Sequence, residues 1–244
     1  IVEEQMQEIV VPGEELTQLM ATEKANVKKI VVGPGIRRDG ERFFATKCGR
    51  FKSRENPCIF WIDYHQKRYI PVRGERIIGI VTQKGGFHVK VDIGTNEAAV
   101  LSLLAFEGAT KRNKPFIQVG DLVYTQVLSI NDTPDGDTEL VCVNSKGKKN
   151  GMGVLPDDGF MVTVPINVAR RLLSPDCLLL RNLGTKFKYE IAVGLNGRVW
   201  IRGSTRLTTE FIVNTVNELE YLTEQELYER TEAILNEFEV YNKK

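Results

Sequence analysis

The chain is poor in the residues that most enzymes build on. It has only two histidines, His65 and His88, one in a turn and one on a predicted strand, so acid–base chemistry has little to work with. Its four cysteines, Cys48, Cys58, Cys142 and Cys177, are scattered, and no two form a Cys-x-x-Cys pair. That spacing does not write a zinc site and reads as reduced core thiols in an intracellular protein. No metal and no cofactor is expected. No run approaches the roughly 20 apolar residues that cross a bilayer. The N-terminus lacks a basic start followed by an apolar core, so neither a membrane span nor a secretory signal is expected. Charge of one sign is also missing: the net charge is only +1, which argues against a protein held to nucleic acid by bulk electrostatics alone. Asp132, Asp135 and Asp137 lack the sixth-position Gly and twelfth-position Glu of a calcium loop and read as an exposed hairpin turn. No nucleophile–base pair, phosphate loop or exonuclease-type acidic quartet can be assembled, so the chain is expected to be non-catalytic.

What is present is a β-rich pattern with local charge. At 244 residues, 42% hydrophobic and 27% charged, the chain has material for two or three small globular domains. The expected fold class is mainly β with an α+β part: an N-terminal β domain over 1–72, an OB-type barrel over 73–150 and a KH-like domain over 151–244 with a C-terminal helix. The first 23 residues carry six glutamates and no Lys or Arg. Residues 1–72 read as all-β, with a strand over 26–32 ended by Gly33-Pro34-Gly35, a turn at Arg38-Asp39-Gly40 and an apolar strand over 58–64.

Five strands over 76–83, 87–93, 99–104, 121–129 and 139–143 make the barrel, a scaffold that displays basic and aromatic side chains to single-stranded nucleic acid. Because alternate strand residues face opposite sides, Phe87 and Val89 are expected inside, leaving Lys84, His88 and Lys90 outside. These three either contact RNA or form a plain solvated face. Lys111, Arg112 and Lys114 stand on a long loop and read as phosphate contacts in preference to a solvated turn. Lys146, Lys148 and Lys149 cluster in a Gly/Lys-rich link.

Over 160–238 the pattern is β-α-α-β-β-α, the order of a type I KH domain, followed by a tail helix opening at the capping box Thr223-Glu224-Gln225-Glu226. The Gly-x-x-Gly backbone clamp of such domains belongs between the two adjacent helices. There the chain has Leu173-Ser174-Pro175-Asp176 instead. Gly194-Leu195-Asn196-Gly197 lies between two strands, where Asn-Gly is a preferred two-residue hairpin turn, and reads as structural. Trp200 reads as a wedge between the KH domain and the barrel.

The chain resembles the S1/KH cap subunits of the eukaryotic RNA exosome. The resemblance is carried by the loop Phe106-Glu107-Gly108-Ala109-Thr110-Lys111-Arg112-Asn113, by Asn150-Gly151-Met152-Gly153-Val154, and by Gly194-Leu195-Asn196-Gly197-Arg198-Val199-Trp200. Val10-Val11-Pro12-Gly13-Glu14 and Gly33-Pro34-Gly35-Ile36-Arg37-Arg38 add to it. It implies a non-catalytic subunit that sits on a ring of RNase PH-like proteins beside other cap subunits and lines the entrance to a 3′→5′ exoribonuclease. It further implies roles in rRNA maturation and RNA turnover, a place in nucleus, nucleolus and cytoplasm, and a Gly194/Asn196/Gly197/Trp200 motif that packs the KH domain on the barrel. The rival reading is a free-standing S1/KH RNA-binding regulator, a stable monomer with appreciable RNA affinity of its own.

Overall fold

The computed structural model describes residues 9–22, 30–54, 58–130, 137–174, 177–221 and Glu226. The chain divides into two compact units, 1–65 and 66–244. In the first, β1 (Ile9–Val10), β2 (Val31–Val32), β5 (Gly49–Arg54) and β6 (Ile59–Asp63) form a sheet in the order β1-β5-β6-β2, while β3 (Ile36–Asp39) and β4 (Arg42–Ala45) form a hairpin. Asp39 pairs with Arg42 across that hairpin, so the turn is Gly40-Glu41, with Gly40 at φ +60 supplying the backbone conformation that glycine adopts without cost. In β6 the period-two alternation buries Phe60 and Ile62, which meet Val10, Leu16, Met20 and Phe43 in one core. The all-β expectation for this region fails at α1 (Thr17–Thr22). The helix-forming Gln18, Leu19 and Met20 are enough for one turn and a half, and Leu16 and Met20 are fully buried beside the hairpin.

The second unit begins with the barrel. Strands β7 (Arg76–Lys84), β8 (His88–Asp92), β9 (Ala99–Ser102), β10 (Leu122–Ser129) and β11 (Glu139–Val141) run in the order β11-β9-β8-β7-β10. The β10–β11 pairing closes the ring, which removes free sheet edges. Ile77, Val81, Val89, Val91, Leu101, Val123, Val127 and Leu140 fill it. A two-residue strand, β12 (Gly153–Val154), adds to the far edge of β10.

The KH part follows as β13 (Phe160–Thr163), α2 (Ile166–Leu173), α3 (Leu178–Lys186), β14 (Tyr189–Val193), β15 (Arg198–Gly203) and α4 (Arg206–Glu218), with sheet order β13-β15-β14. One face of the sheet, with Val199 and Ile201, packs against Val168, Leu172, Leu179, Leu183, Ile212 and Val216 of the helices. Pro165 sits at the N-terminal cap of α2, one residue before the helix. Thr205 caps α4 by accepting the Thr208 N–H at 3.2 Å. The expected tail helix over 223–238 lies outside the described residues apart from Glu226. The turn residues Asp132 and Asp135 and most of the 26–32 strand lie outside them too.

Candidate nucleic-acid interface

The β7–β8 hairpin closes through the Gly85 N–H on the His88 carbonyl at 2.8 Å. This bond makes Gly85, Gly86 and Phe87 the turn itself, and the strand starts only at His88. Phe87 therefore escapes the pleat alternation that buries Val89 and Val91. It is 46% exposed, against the expectation that it packs inward beside Val89. Its carbonyl takes the Leu103 N–H at 2.9 Å, which anchors the backbone while the ring stays outside.

The long loop between β9 and β10 comes back across this turn. Leu103 and Ile117 bury themselves in the barrel core and pin its two ends. Between them, Thr110 N–H donates to Asn113 O at 2.9 Å and Asn113 N–H to Thr110 Oγ1 at 3.0 Å. That small turn holds Lys111 and Arg112 at its exposed tip. Lys114 folds back, placing Nζ 3.8 Å from the centroid of Phe87 and 3.0 Å from the Gly86 carbonyl. Two residues on, Phe116 is 77% exposed, and Lys84 Nζ stands 5.6 Å from its centroid. Two open rings, each with an ammonium, thus stand at the β7–β8 turn, and His88 and Lys90 are exposed on the adjoining β8. A cation–ring contact at such exposure is worth about 0.5–1 kcal/mol, too little to explain leaving two phenylalanines in water. A solvated aromatic pair beside cations is what single-stranded nucleic acid uses: rings for bases, ammonium groups for phosphates.

The second hairpin of interest behaves in the opposite way. Gly194 N–H donates to Arg198 O at 2.8 Å and Gly197 N–H to Gly194 O at 3.0 Å. Leu195, Asn196 and Gly197 therefore make a three-residue loop ending in left-handed Gly197, φ +81, and not the two-residue Asn-Gly turn expected from sequence. Asn196 is buried: its Nδ2 donates to Ile78 O at 2.8 Å and Ile93 O at 2.9 Å, and its Oδ1 accepts Ile78 N–H at 3.3 Å. Arg198 donates to the Asp92 backbone carbonyl and carboxylate, both at 2.6 Å. Partial burial opposes ionisation of Asp92, but the Gly94 N–H and the Arg198 guanidinium outweigh it and hold its pKa below the usual carboxylate value. Trp200 is almost wholly buried against Ile78 and Leu155, with Leu122, Tyr124, Met161 and Ala192 around it. No cation or ring of this hairpin is left for a ligand. Among the described residues no cluster of three or more His, Cys, Asp or Glu side chains is placed to hold a metal.

Three family models match the chain in sequence: the N-terminal domain of mammalian exosome complex component RRP40 over 7–65, the S1 domain of exosome complex component RRP40 over 69–153, and a KH domain over 159–207. Exosome complex component RRP40 of Bos taurus is 46% identical over 200 residues, covering 80% of this chain and 72% of its own. The protein of the same name from Drosophila melanogaster is 43% identical over 212 residues, covering 87% and 89%. The chain belongs to the RRP40 family of exosome complex components. The Saccharomyces cerevisiae RRP40 is 37% identical over 161 residues, 65% of this chain and 66% of its own. A crystal structure assigned to an exosome complex RNA-binding protein aligns over 71% of this chain and 99% of its own with a TM-score of 0.59 at 22% identity, a likeness of fold.

On this RRP40-family chain, the structure brings Lys84 and Lys114 together around the two rings. His88 and Lys90 lie on the neighbouring strand, and Lys111 and Arg112 lie at the tip of the adjoining loop. Sequence reasoning missed the rings themselves. Phe116 follows Lys114-Pro115 in a loop, where an aromatic residue has no periodic reason to be buried. Phe87 follows two glycines, a signal that the turn extends one residue further than alternation suggests.

Proposed function

We propose that this chain is a non-catalytic, RNA-binding cap subunit of the RNA exosome, and that its barrel guides single-stranded RNA across the Phe87–Phe116 face towards the degrading machinery. The observation that carries the RNA contact is the pair of exposed rings, each with a lysine ammonium over it. Membership of the RRP40 family supports the assembly, with RNase PH-like ring subunits and other cap subunits as partners. The absence of a Gly-x-x-Gly clamp between α2 and α3 supports placing RNA on the barrel and leaving the KH part to packing. The near-zero net charge fits a subunit whose grip on RNA is local and modest, with assembly supplying the rest.

Base–ring stacking is worth about 1–3 kcal/mol per base. The double variant Phe87→Ala/Phe116→Ala is therefore expected to bind a labelled oligouridylate at least tenfold more weakly by fluorescence anisotropy, with unchanged thermal stability. Unchanged affinity would overturn the RNA face. Native mass spectrometry on the tagged chain recovered from its own cells tests the assembly: a multisubunit complex with RNase PH-like proteins is expected, and a lone chain would favour the free-standing regulator.

A further inference from the structure

We propose that the segment 144–149, between β11 and β12, is a second phosphate contact that lengthens the barrel's RNA footprint; this rests on the reading of the Phe87–Phe116 face given above. The segment is a built loop. Asn144 Oδ1 accepts the N–H groups of Lys146 at 2.9 Å and Lys148 at 3.0 Å. Asn144 N–H donates to Lys148 O at 2.8 Å, and Gly147 N–H, with φ +72 at that glycine, donates to Asn144 O at 2.9 Å. Four hydrogen bonds close this loop on one asparagine, and the exposed Lys146 and Lys148 side chains leave from it.

Glu107 decides where that loop lies. Its Oε2 accepts the Lys149 N–H at 2.9 Å, across 42 positions of sequence. Glu107 stands early in the β9–β10 loop whose tip carries Lys111 and Arg112 and whose Lys114 lies over Phe87. The hydrogen bond therefore joins the three lysines of 144–149 to the cations beside the platform. Among the described residues none of Lys111, Arg112, Lys146, Lys148 and Lys149 is ion-paired. The one carboxylate at the junction, Glu107, is engaged by backbone. From Glu107 to Lys114 is seven residues, so at about 3.3–3.6 Å each the track leaves the platform by no more than roughly 25 Å.

The chemistry of this surface suits a phosphodiester backbone and not bases. Lysine ammonium groups are point charges without a planar fork, and residues 144–149 include no aromatic residue. Binding here is expected to be independent of sequence and sensitive to salt. A platform of two rings accounts for two or three nucleotides, and OB-type domains engage about 4–16.

The test uses the full chain with oligouridylates of about 5 and about 15 nucleotides over a salt series. The variant Lys146→Gln/Lys148→Gln/Lys149→Gln keeps the backbone bonds of Asn144 and Glu107. It is expected to bind the short oligomer like the unsubstituted chain and the long one more weakly. The slope of log affinity against log salt for the long oligomer should fall by about 0.7 for each lost contact, about 2 for all three. If the triple variant matches the unsubstituted chain at both lengths while Phe87→Ala/Phe116→Ala weakens both, the track is overturned and the platform stands. If the ring variant has no effect, the platform reading fails. No binding by the unsubstituted chain at the lowest salt would overturn both.

Discussion

The hairpins at Gly85-Gly86 and at Gly194–Gly197 are written with similar letters: a strand, a glycine turn, cations and an aromatic residue. In the first, Phe87 and Phe116 stand in water with Lys114 and Lys84 over them. In the second, Asn196 gives all its strong hydrogen bonds to Ile78 and Ile93, Arg198 to Asp92, and Trp200 is buried. The difference teaches that glycine-turn motifs of this kind are assigned by the bookkeeping of their polar groups. A hairpin whose amide and cation are bonded within the protein and whose ring is buried is a joint, and one whose cations and rings stand at the solvent surface is a binding surface.

The comparison breaks most visibly at the joint. Trp200→Ala should cost about 3–5 kcal/mol, which for a unit of this size lowers the melting temperature by about 10 °C. Asn196→Ala should follow it, because it strands buried carbonyls at a cost of about 1–3 kcal/mol. Calorimetry reads both, and a neutral result for either would return this hairpin to the list of open surfaces.

The next effect lies at the platform. Loss of both rings should weaken RNA binding at least tenfold and leave stability within about 0.5 kcal/mol, as surface substitutions do. A large fall in melting temperature would instead make Phe87 and Phe116 structural. Neutralising Lys111 and Arg112 should be milder, lowering the salt slope of RNA binding by about 0.7 per contact.

Smallest is a pH effect at the joint. The folded-state pKa of Asp92 is below the unfolded value near 3.9. Its contribution to stability is therefore present at neutral pH and lost as pH falls through the folded pKa. Because Asp92 is partly solvated, the loss is small. Asp92→Asn should flatten the acid limb of a melting-temperature profile below about pH 4, and an unchanged limb would remove Asp92 from the joint's electrostatics.

Much of this was legible in sequence where the hydrophobic period is regular. Val89, Val91, Leu101, Val123 and Val127 alternate cleanly, and the barrel strands fall within a residue or two of where that alternation puts them. Reading failed where a turn, not a period, decides. The β8 alternation does not extend to Phe87, because the Gly85–His88 bond places that residue in the turn. The α1 helix is too short for a helical period to show. The Gly194–Gly197 loop differs from the expected Asn-Gly turn because Asn196 faces the barrel, where its amide bonds Ile78 and Ile93 over more than a hundred positions. No local rule contains that contact. The open rings are the same problem in reverse, since an exposed aromatic residue leaves no periodic trace.

The most direct test of the central claim is ultraviolet crosslinking of single-stranded RNA to the full chain, with the modified peptides mapped by mass spectrometry. Crosslinks on 84–90 and 111–116, with none on 194–200, are predicted. Crosslinks concentrated on 194–200, or absent from the Phe87–Phe116 face, would contradict it.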